Sequence, residues 1–310
     1  MDNKLVKIFS GSASTGLASD VAKNLKMGLG QYELQRFSDG EMLPIFKENI
    51  RGRIVFIVQS GYSPFENYWE LFQMIDAAKK ASAARIIAVI PYYGYGRQDR
   101  KDQPRVGISA KLIANFLETA GATRVVSIDL HADQIQGFFD IPVDQLQASY
   151  VFVPYIKSLG IENLVVASPD TGGTKKAKYL SRHLDTDMVI CYKHRAEANK
   201  IDEMILIGDV KGRNVIIVDD IIDTGGSICR ASDLMMEKGA KSVRAVITHP
   251  VLSGKAYENI QKSSLTELIV TDTIPIKDGC DKIKVLSVST LLSRAIRNIV
   301  NNKSLSKLFI

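Results

Sequence analysis

The sequence predicts an α/β protein with two tandem domains, each a mainly parallel central sheet flanked by helices. Short β-branched runs alternate with longer stretches of helical period along almost all of the 310 residues, and this alternation is typical of parallel sheets. A chain of this length is also long enough for two domains. A third indication is an internal repeat: residues 117–131 and 236–249 share a helix end, a Gly-Ala cap, a strand and a histidine. We therefore predict domains at residues 1–146 and 147–310.

The period of the apolar residues assigns the elements in chain order. The predicted strands are Leu5–Phe9, Ile54–Val58, Ile86–Ile90, Val125–Ile128, Leu164–Ala167, Met188–Cys191, Val215–Val218 and Val243–Thr248. The predicted helices are Leu17–Met27, Asn67–Ala81, Ser109–Ala120, Thr174–His183, Ile228–Lys238 and Leu291–Val300.

Composition excludes several classes of protein. Hydrophobic residues make up 45% and charged residues 24% of the chain, as in ordinary globular proteins. The net charge of +6 is too small and dispersed for a nucleic-acid surface. Three scattered cysteines without metal-ligand spacing favour a reducing compartment. No apolar run reaches a membrane span, and the first residues lack a signal-peptide pattern, so we expect a cytoplasmic protein without membrane or nucleic-acid partners.

The stretch Asn214–Ser227 has the features of a ligand site. The apolar run Val215–Val218 precedes two adjacent acids, Asp219 and Asp220, and then a Gly-rich turn that leads into a helix. Such a turn presents backbone N–H groups and the positive end of a helix dipole to a phosphate. Carboxylates beside a phosphate would repel it unless they bind something else. They could accept hydrogen bonds from sugar hydroxyls or hold a metal ion. The alternative is a plain strand–turn–helix corner capped by Ser227.

A second stretch repeats this design. Asp170 and a Gly-Gly pair follow the predicted strand that ends at Ala167, and Lys175 and Lys176 occupy the first turn of the next helix. The helix dipole disfavours positive charge at that place. A bound anion would offset it, whereas the alternative is a capped helix with a solvated lysine pair.

Residues 91–101 follow a predicted strand and contain three tyrosines, two glycines and three cations. Cations on a flexible loop suit nucleotide phosphates, and tyrosine or arginine planes suit a base. The alternative is a solvated loop whose tyrosine rings pack onto the domain.

Three further segments carry weaker signals. Asp129, His131 and Asp133 alternate, so on an extended segment all three point the same way and form a cation site or an acidic patch. Phe37–Glu41 contains a Ser-Asp-Gly turn between extended pieces. Tyr192–Lys200 is polar and aperiodic, which predicts a loop.

Motifs in seven separate segments, taken together, resemble the ribose-phosphate pyrophosphokinases, whose domains have the type I phosphoribosyltransferase fold. They include Phe-Ser-Asp-Gly-Glu at 37–41, Tyr-Tyr-Gly-Tyr-Gly-Arg-Gln-Asp-Arg-Lys at 92–101 and Asp-Asp-Ile-Ile-Asp-Thr-Gly-Gly-Ser at 219–227. The resemblance implies two phosphoribosyltransferase-like domains. It also implies that ATP and ribose 5-phosphate are converted to AMP and 5-phosphoribosyl 1-pyrophosphate with Mg²⁺. The family further implies a homohexamer, in which the hairpin at 37–41 reaches into the ATP site of a neighbouring subunit.

The resemblance also implies roles for individual residues. The residues implied to bind ATP are Phe37, Ser38, Asp39, Glu41, Gly96, Arg97, Gln98, Asp99 and His131. The residues implied to bind ribose 5-phosphate are Arg195, Asp219, Asp220, Asp223, Thr224, Gly225, Gly226 and Ser227. Lys193 and Arg195 are implied to be catalytic, and His131 and Asp170 to contact the metal.

The chain departs from the family pattern at two places. Tyr192 and His194 stand where the catalytic loop commonly has Asp and Arg, and residues 102–107 differ from the usual basic run. Two other functions therefore remain open: a phosphoribosyltransferase that consumes the pyrophosphate, and a non-catalytic regulatory paralogue of the kinase.

Overall fold

The computed structural model describes residues 5–194, 203–277 and 279–308. Strands and helices alternate along most of this part of the chain. The strands are β1 (Val6–Ser10), β2 (Tyr32–Arg36), β3 (Met42–Phe46), β4 (Ile54–Val58), β5 (Arg85–Ile90), β6 (Arg124–Ile128), β7 (Val143–Leu146), β8 (Leu164–Ser168), β9 (Met188–His194), β10 (Glu203–Ile207), β11 (Asn214–Ile222), β12 (Ser242–Pro250), β13 (Glu267–Thr271) and β14 (Ile283–Leu286). The helices are α1 (Thr15–Asn24), α2 (Glu66–Lys80), α3 (Ser109–Ala120), α4 (Ser149–Ser158), α5 (Thr174–Leu184), α6 (Gly226–Glu237), α7 (Ala256–Lys262) and α8 (Ser289–Val300).

The predicted fold class is confirmed, because the main sheets are parallel and helices connect their strands. Every predicted strand and helix is present, and β4 and α3 have the predicted bounds. The internal repeat is also visible in the backbone. Gly121 and Gly239 end α3 and α6 with φ values of +117° and +90°, in the left-handed region that glycine adopts without steric cost. In both places the alanine that follows donates its N–H to the carbonyl five residues earlier.

The chain divides into two compact units. The first comprises residues 1–147 together with 273–275 and 287–309. Its five-stranded sheet has the order β1-β4-β5-β6-β7, and all neighbouring strands are parallel. The central strands are buried apolar runs, as expected for a sheet covered on both faces.

Helix α8 belongs to the first unit, although the predicted domain at 147–310 included it. Its apolar stripe contains Leu291, Leu292, Ala295 and Ile296, which have no solvent exposure. The helix packs on α1, where Asn24 donates a hydrogen bond of 3.2 Å to the Ser289 hydroxyl. The division predicted from the sequence misses this return of the chain, because an amphipathic stripe does not show which surface will cover it.

The second unit comprises residues 148–272 and 276–286. Its seven-stranded sheet has the order β10-β9-β8-β11-β12-β13-β14. Only the β10–β9 pairing at its edge is antiparallel. The carboxyl ends of β8, β9 and β11 therefore meet at one edge of the sheet.

Strands β2 and β3 form a separate two-stranded hairpin in the first unit. Its turn has the predicted geometry, since the Phe37 N–H donates to the Glu41 carbonyl at 2.9 Å and Gly40 takes a φ of +97°. Across the described ranges, none of the helices has the length and apolar character that crossing a membrane requires.

Candidate active site

Asp219 and Asp220 lie near the carboxyl end of β11, in the middle of the second sheet. The strand was predicted to end at Val218, but it continues to Ile222, since Asp219 still pairs with Ile247 of β12. Asp220 is buried, with only 4% of its surface exposed. Two carboxylates are thereby fixed side by side on a rigid strand, rather than on a loop.

The Gly-rich turn after β11 is anchored by its neighbours. The Asp223 carboxylate accepts a hydrogen bond from the Ser253 hydroxyl, and the Thr224 carbonyl accepts one of 2.9 Å from the Asn259 side chain. Gly225 takes a φ of +77°, which a side chain would strain. Helix α6 begins at Gly226, so Ser227 lies in its first turn, where backbone N–H groups have no acceptor within the helix. This is the geometry of a phosphate cradle. Ser253 and Asn259 were not predicted as site residues, because the sequence around each of them does not show that its side chain bonds to a loop far away in the chain.

The loop after β8 lies at the same edge of the sheet, because β8 and β11 are parallel neighbours. Asp170 accepts a hydrogen bond of 3.0 Å from the Gly173 N–H. A Cβ on Gly173 would lie 2.8 Å from the Ser168 hydroxyl, so the tight turn requires glycine there.

Lys176 lies on α5, the helix that follows this loop, and its side chain contacts the acidic pair. Its ammonium is 2.8 Å from the Asp220 carboxylate. The sequence offered two interpretations of the lysines in the first turn of α5, a bound anion or a solvated pair. For Lys176 the structure shows a third arrangement, because the Asp220 carboxylate lies beside the ammonium. The second sheet thus brings the two Gly-rich stretches into direct contact.

The acidic pair has unusual electrostatics. Burial, and then the adjacent Asp220 carboxylate, raise the pKa of Asp219 well above the usual range of an aspartate. Two neighbouring carboxylates cannot both ionise without cost in a site that water does not fully solvate. The pair therefore favours ligands that donate hydrogen bonds, such as a vicinal diol.

Strand β9 ends at the same edge as well. Tyr192, Lys193 and His194 were predicted to be in a loop, but their backbone continues β9 and pairs with β10. Strand pairing to β10 overrides the polar composition that predicted a loop. Arg195, the other residue implied to be catalytic, lies outside the described residues.

In the first unit, the loop after β5 borders a cavity of about 490 Å³. Arg97, Gln98, Asp99 and His131, all implied to bind ATP, are part of its wall. The Gln134 side chain donates a hydrogen bond of 2.8 Å to the Asp99 carboxylate. The wall also includes Asp102, Gln103, Val106 and Gly107, from the segment that departs from the family pattern. The cavity is polar and carries cations, which suits a phosphorylated ligand.

Two of the tyrosine rings of this loop cannot stack on a nucleotide base. Tyr92 and Tyr93 are buried, and the Tyr93 hydroxyl donates a hydrogen bond of 2.9 Å to the Ala110 carbonyl. The interpretation of these rings as stacking platforms is therefore wrong, because they pack onto the domain. Gly96 is enclosed beneath the loop, where a Cβ would lie 3.1 Å from the Tyr93 carbonyl.

The expected alignment of Asp129, His131 and Asp133 is also wrong. The backbone is not extended there: Asp129 has a φ of +39°, and a 3-10 helix begins at Asp133. In the chain outside the undescribed stretches, no three His, Cys, Asp or Glu side chains form a group that could hold a metal ion. His131 and Asp170 belong to different units.

The hairpin turn does not contribute to this cavity within the chain. Phe37 is 53% exposed, and neither it nor Ser38, Asp39 or Glu41 is part of the cavity wall. An exposed aromatic ring at the tip of a hairpin is available to a ligand or to another protein surface.

If the cavity after β5 binds ATP, as the family resemblance implies, Gly94→Ala is expected to weaken that binding. A Cβ at Gly94 would lie 1.9 Å from the Gly61 carbonyl oxygen, so the backbone that leads to Arg97 must move. Overpacking of this kind costs about 1–3 kcal/mol, and we expect the Kd for ATP, measured by calorimetry, to rise about tenfold. Gly16→Ala, where a Cβ meets nothing within 4 Å, is the matched control and should bind ATP like the wild type. Equal ATP affinity in both variants would contradict this role of the Gly94–Gly61 contact.

Two family models match the chain. The model described as the N-terminal domain of ribose phosphate pyrophosphokinase matches residues 6–121, and the phosphoribosyl synthetase-associated domain matches residues 162–310.

Individual relatives and a solved structure match nearly the whole chain. The ribose-phosphate pyrophosphokinase of Porphyromonas gingivalis is 52% identical over 303 residues, which is 97% of each chain. The enzyme of the same name from Campylobacter jejuni is 52% identical over 98% of this chain and 99% of its own. The crystal structure of phosphoribosylpyrophosphate synthetase from Mycobacterium smegmatis superposes with a TM-score of 0.91 at 40% identity, covering 96% of this chain and 99% of that one.

Proposed function

Because this chain belongs to the ribose-phosphate pyrophosphokinase family, we propose that it transfers the β,γ-diphosphoryl group of ATP to the C1 hydroxyl of ribose 5-phosphate. The products are AMP and 5-phosphoribosyl 1-pyrophosphate. The observation that carries this proposal is the edge of the second sheet, where an acidic pair, with Asp220 buried and Asp219 half-buried, lies beside a Gly-rich turn with the geometry of a phosphate cradle. A sugar phosphate with a vicinal diol matches both parts of that site.

In this proposal the second unit binds ribose 5-phosphate. Asp219 and Asp220 accept hydrogen bonds from the 2- and 3-hydroxyls, while the 5-phosphate receives N–H groups from the turn that leads into α6. The turn residues proposed for the phosphate are Asp223, Thr224, Gly225, Gly226 and Ser227. Because the acids are on a strand and the turn is anchored by Ser253 and Asn259, the sugar is held in one orientation.

The first unit is proposed to bind ATP in the cavity bordered by Arg97, Gln98, Asp99 and His131. The wall supplies cations for the phosphates. The hairpin residues Phe37, Ser38, Asp39 and Glu41 are proposed to contact the adenine, with Phe37 as a stacking face. Since the tip is exposed and is absent from its own chain's cavity wall, a neighbouring subunit is the proposed recipient.

In the chemical step, the C1 oxygen forms a bond to the β-phosphorus, and the bond from that phosphorus to the oxygen that bridges it to the α-phosphorus breaks. The bonding electrons leave with AMP, and the C1 hydroxyl loses its proton. Catalysis of such a transfer depends on alignment and on neutralising the charge that develops on the phosphoryl oxygens. Lys193 and Arg195 are proposed to supply this charge neutralisation.

Kinases of this family generally need a metal ion, and we propose Mg²⁺. The chain fits an ion that is held mostly by substrate phosphates and water, because Asp170 offers carboxylate oxygens in a Gly-rich loop and the described residues contain no three-ligand protein cage. The bound ion would neutralise phosphate charge. His131 is proposed to act through a water or a phosphate, since Mg²⁺ prefers oxygen ligands.

Self-association, as a homohexamer with an ATP site shared between subunits, is part of the proposal. It is supported by an apolar surface on the first unit around a cavity of about 720 Å³. Phe65, Trp69, Phe116 and Leu43 border it and are 40–49% exposed. Contiguous apolar surface of this kind marks contact with another protein. A cytoplasmic location is also proposed, in line with three cysteines that form no disulfide.

A non-catalytic regulatory paralogue is the second candidate function. Tyr192 and His194 favour it, because they replace residues of the usual catalytic loop. The phosphoribosyltransferase alternative has less support, since the hairpin and the cavity after β5 have no role in it.

The release of AMP tests the proposal. Purified full-length protein with ATP, Mg²⁺ and ribose 5-phosphate is expected to produce AMP and 5-phosphoribosyl 1-pyrophosphate in equal amounts, measured by ion-exchange chromatography. ADP as the product would contradict diphosphoryl transfer. A complete lack of turnover, with and without added phosphate ion, would instead favour the regulatory paralogue.

A further inference from the structure

A buried carboxylate on helix α2, that of Glu70, accepts a hydrogen bond from the β2–β3 hairpin. Glu70 is 1% exposed, and no step of the proposed reaction uses it. We propose that Glu70 is a positioning residue for nucleotide binding, which acts through the Tyr32 hydroxyl to hold the hairpin that carries Phe37–Glu41. This inference rests on the proposed function, because it takes the hairpin tip to be a nucleotide contact.

The carboxylate of Glu70 collects hydrogen bonds from three separate segments. Tyr32, at the beginning of β2, donates at 2.7 Å. Gln59, which follows β4, donates at 2.9 Å, and the Ser12 N–H and hydroxyl donate from the loop after β1. Burying a carboxylate is costly unless such bonds satisfy it. Bonds to a charged acceptor are about twice as strong as neutral ones, so this cluster is a rigid junction.

Tyr32 is suited to be a permanent donor. Burial, followed by the hydrogen bond to Glu70, raises the pKa of the Tyr32 phenol far above its usual range. The hydroxyl therefore keeps its proton at every pH at which the protein would work.

The hairpin needs this link because its strands pair only with each other. It is a two-stranded sheet that shares no backbone ladder with the five-stranded sheet, and an isolated hairpin is marginally stable. Its other fastenings include the Gln73 side chain, which donates to the Met42 carbonyl at 2.9 Å, and Phe46, whose ring centroid is 4.6 Å from that of Phe9.

The Tyr32 bond holds the end of the hairpin that is far from the tip. From Tyr32 the strand extends to Arg36, a length of about 13 Å at the usual rise per residue. The Gln73 bond to Met42, which pairs with Arg36, holds the end near the tip. The orientation of Phe37–Glu41 therefore depends on both bonds, and loss of the Tyr32 bond weakens the restraint on a positioned contact.

Helix α2 also holds the other segment that is proposed to bind ATP. The Tyr68 hydroxyl donates a hydrogen bond of 3.1 Å to the Gly94 carbonyl, at the base of the loop that leads to Arg97. Tyr68 is completely buried. One helix thus determines the placement of both nucleotide-facing segments of the first unit.

Two variants that lose a donor to the same carboxylate test the inference in the full-length enzyme. In Tyr32→Phe the link to the hairpin is lost, and we expect the KM for ATP to rise about three- to tenfold while kcat and the KM for ribose 5-phosphate stay near the wild-type values. In Ser12→Ala the carboxylate also loses a hydroxyl donor, but the hairpin keeps its link, so the KM for ATP should not change. A purely structural role of Glu70 predicts equal effects of the two variants, and that result would overturn the inference.

The fluorescence of Trp69, the single tryptophan, tests the same inference without a measurement of activity. Trp69 precedes Glu70 and borders the same cavity as Leu43 and Pro44 of β3. Loosening of the hairpin should lower the fluorescence anisotropy of Trp69 in Tyr32→Phe and not in Ser12→Ala. Unchanged anisotropy in both would show that the Tyr32 hydrogen bond does not hold the hairpin in place.

If the wild type produces AMP but Tyr32→Phe keeps its KM for ATP, the inference fails and the proposed function stands. If the wild type produces no AMP, the proposed function itself fails.

Discussion

Replacing Lys193 with alanine is expected to lower kcat by about 10²–10³-fold while the Kd for ATP changes little. Loss of one positioned group that stabilises developing charge has an effect of this size. The argument rests on the family resemblance and on the placement of the backbone of Lys193. Strand β9 is a parallel neighbour of β8, with Ile190 opposite Ser168, so Lys193 lies at the edge of the sheet that also carries Asp170.

Steady-state kinetics and equilibrium binding of ATP together measure this effect. Lys178→Ala is a suitable control, because Lys178 is an exposed lysine on α5 without a proposed role in the site. A mutant of Lys193 that loses ATP affinity but keeps normal turnover would remove the residue from the catalytic step.

Replacing Asp219 with asparagine is expected to change activity and stability in opposite directions. The amide NH2 that replaces a carboxyl oxygen cannot accept a hydrogen bond from a ribose hydroxyl. Leaving that hydroxyl without its acceptor should cost about 1–3 kcal/mol, so kcat/KM for ribose 5-phosphate should fall about 10- to 100-fold. The ligand-free protein should nevertheless become more stable at neutral pH. The asparagine side chain keeps an oxygen that can accept the Asp220 N–H, which donates to Asp219 at 2.9 Å.

The stability effect depends on pH in a defined direction. Burial, and then Asp220, raise the pKa of Asp219 in the folded protein above the value of about 3.9 in the unfolded chain. The folded state therefore holds this proton at pH values where the unfolded state has lost it, and the stability of the wild type falls as the pH rises through that window. The amide introduced by Asp219→Asn does not titrate, so the stability advantage of this variant should be small near pH 4 and larger at pH 7.

Thermal unfolding without ligand at several pH values measures this advantage. Asp187→Asn is a control with the same chemical change in the same unit, at an exposed aspartate that pairs with Arg213. A lower Tm than wild type for Asp219→Asn at pH 7, with the same difference at pH 4, would contradict the electrostatic account.

Local patterns in the sequence were enough to predict the elements that form the site. The run Val215–Val218 and the Gly-Gly pair that follows predicted a strand and a Gly-rich turn into a helix, and both are present. The same design after β8 was recognised in the same way. These features depend on neighbours within a few residues, and the period of apolar side chains reports them directly.

Features that depend on distant residues were predicted less well. The tyrosines at 92 and 93 looked like ligand contacts but are buried, and the segment after Ile128 turns instead of extending. In each case packing against the rest of the unit decided the conformation, which overrides local preference.

Residue order alone was sufficient for the fold class, the family and the positions of the acidic pair and of the Gly-rich turn that follows it. Tertiary packing was needed to show that α8 returns to the first unit, that Lys176 pairs with Asp220, and that Glu70 receives the Tyr32 hydroxyl. The physical reason is the same for all three. The sequence shows an apolar stripe or a charged side chain, but the residue that contacts it lies far along the chain, and folding of the whole unit selects that residue.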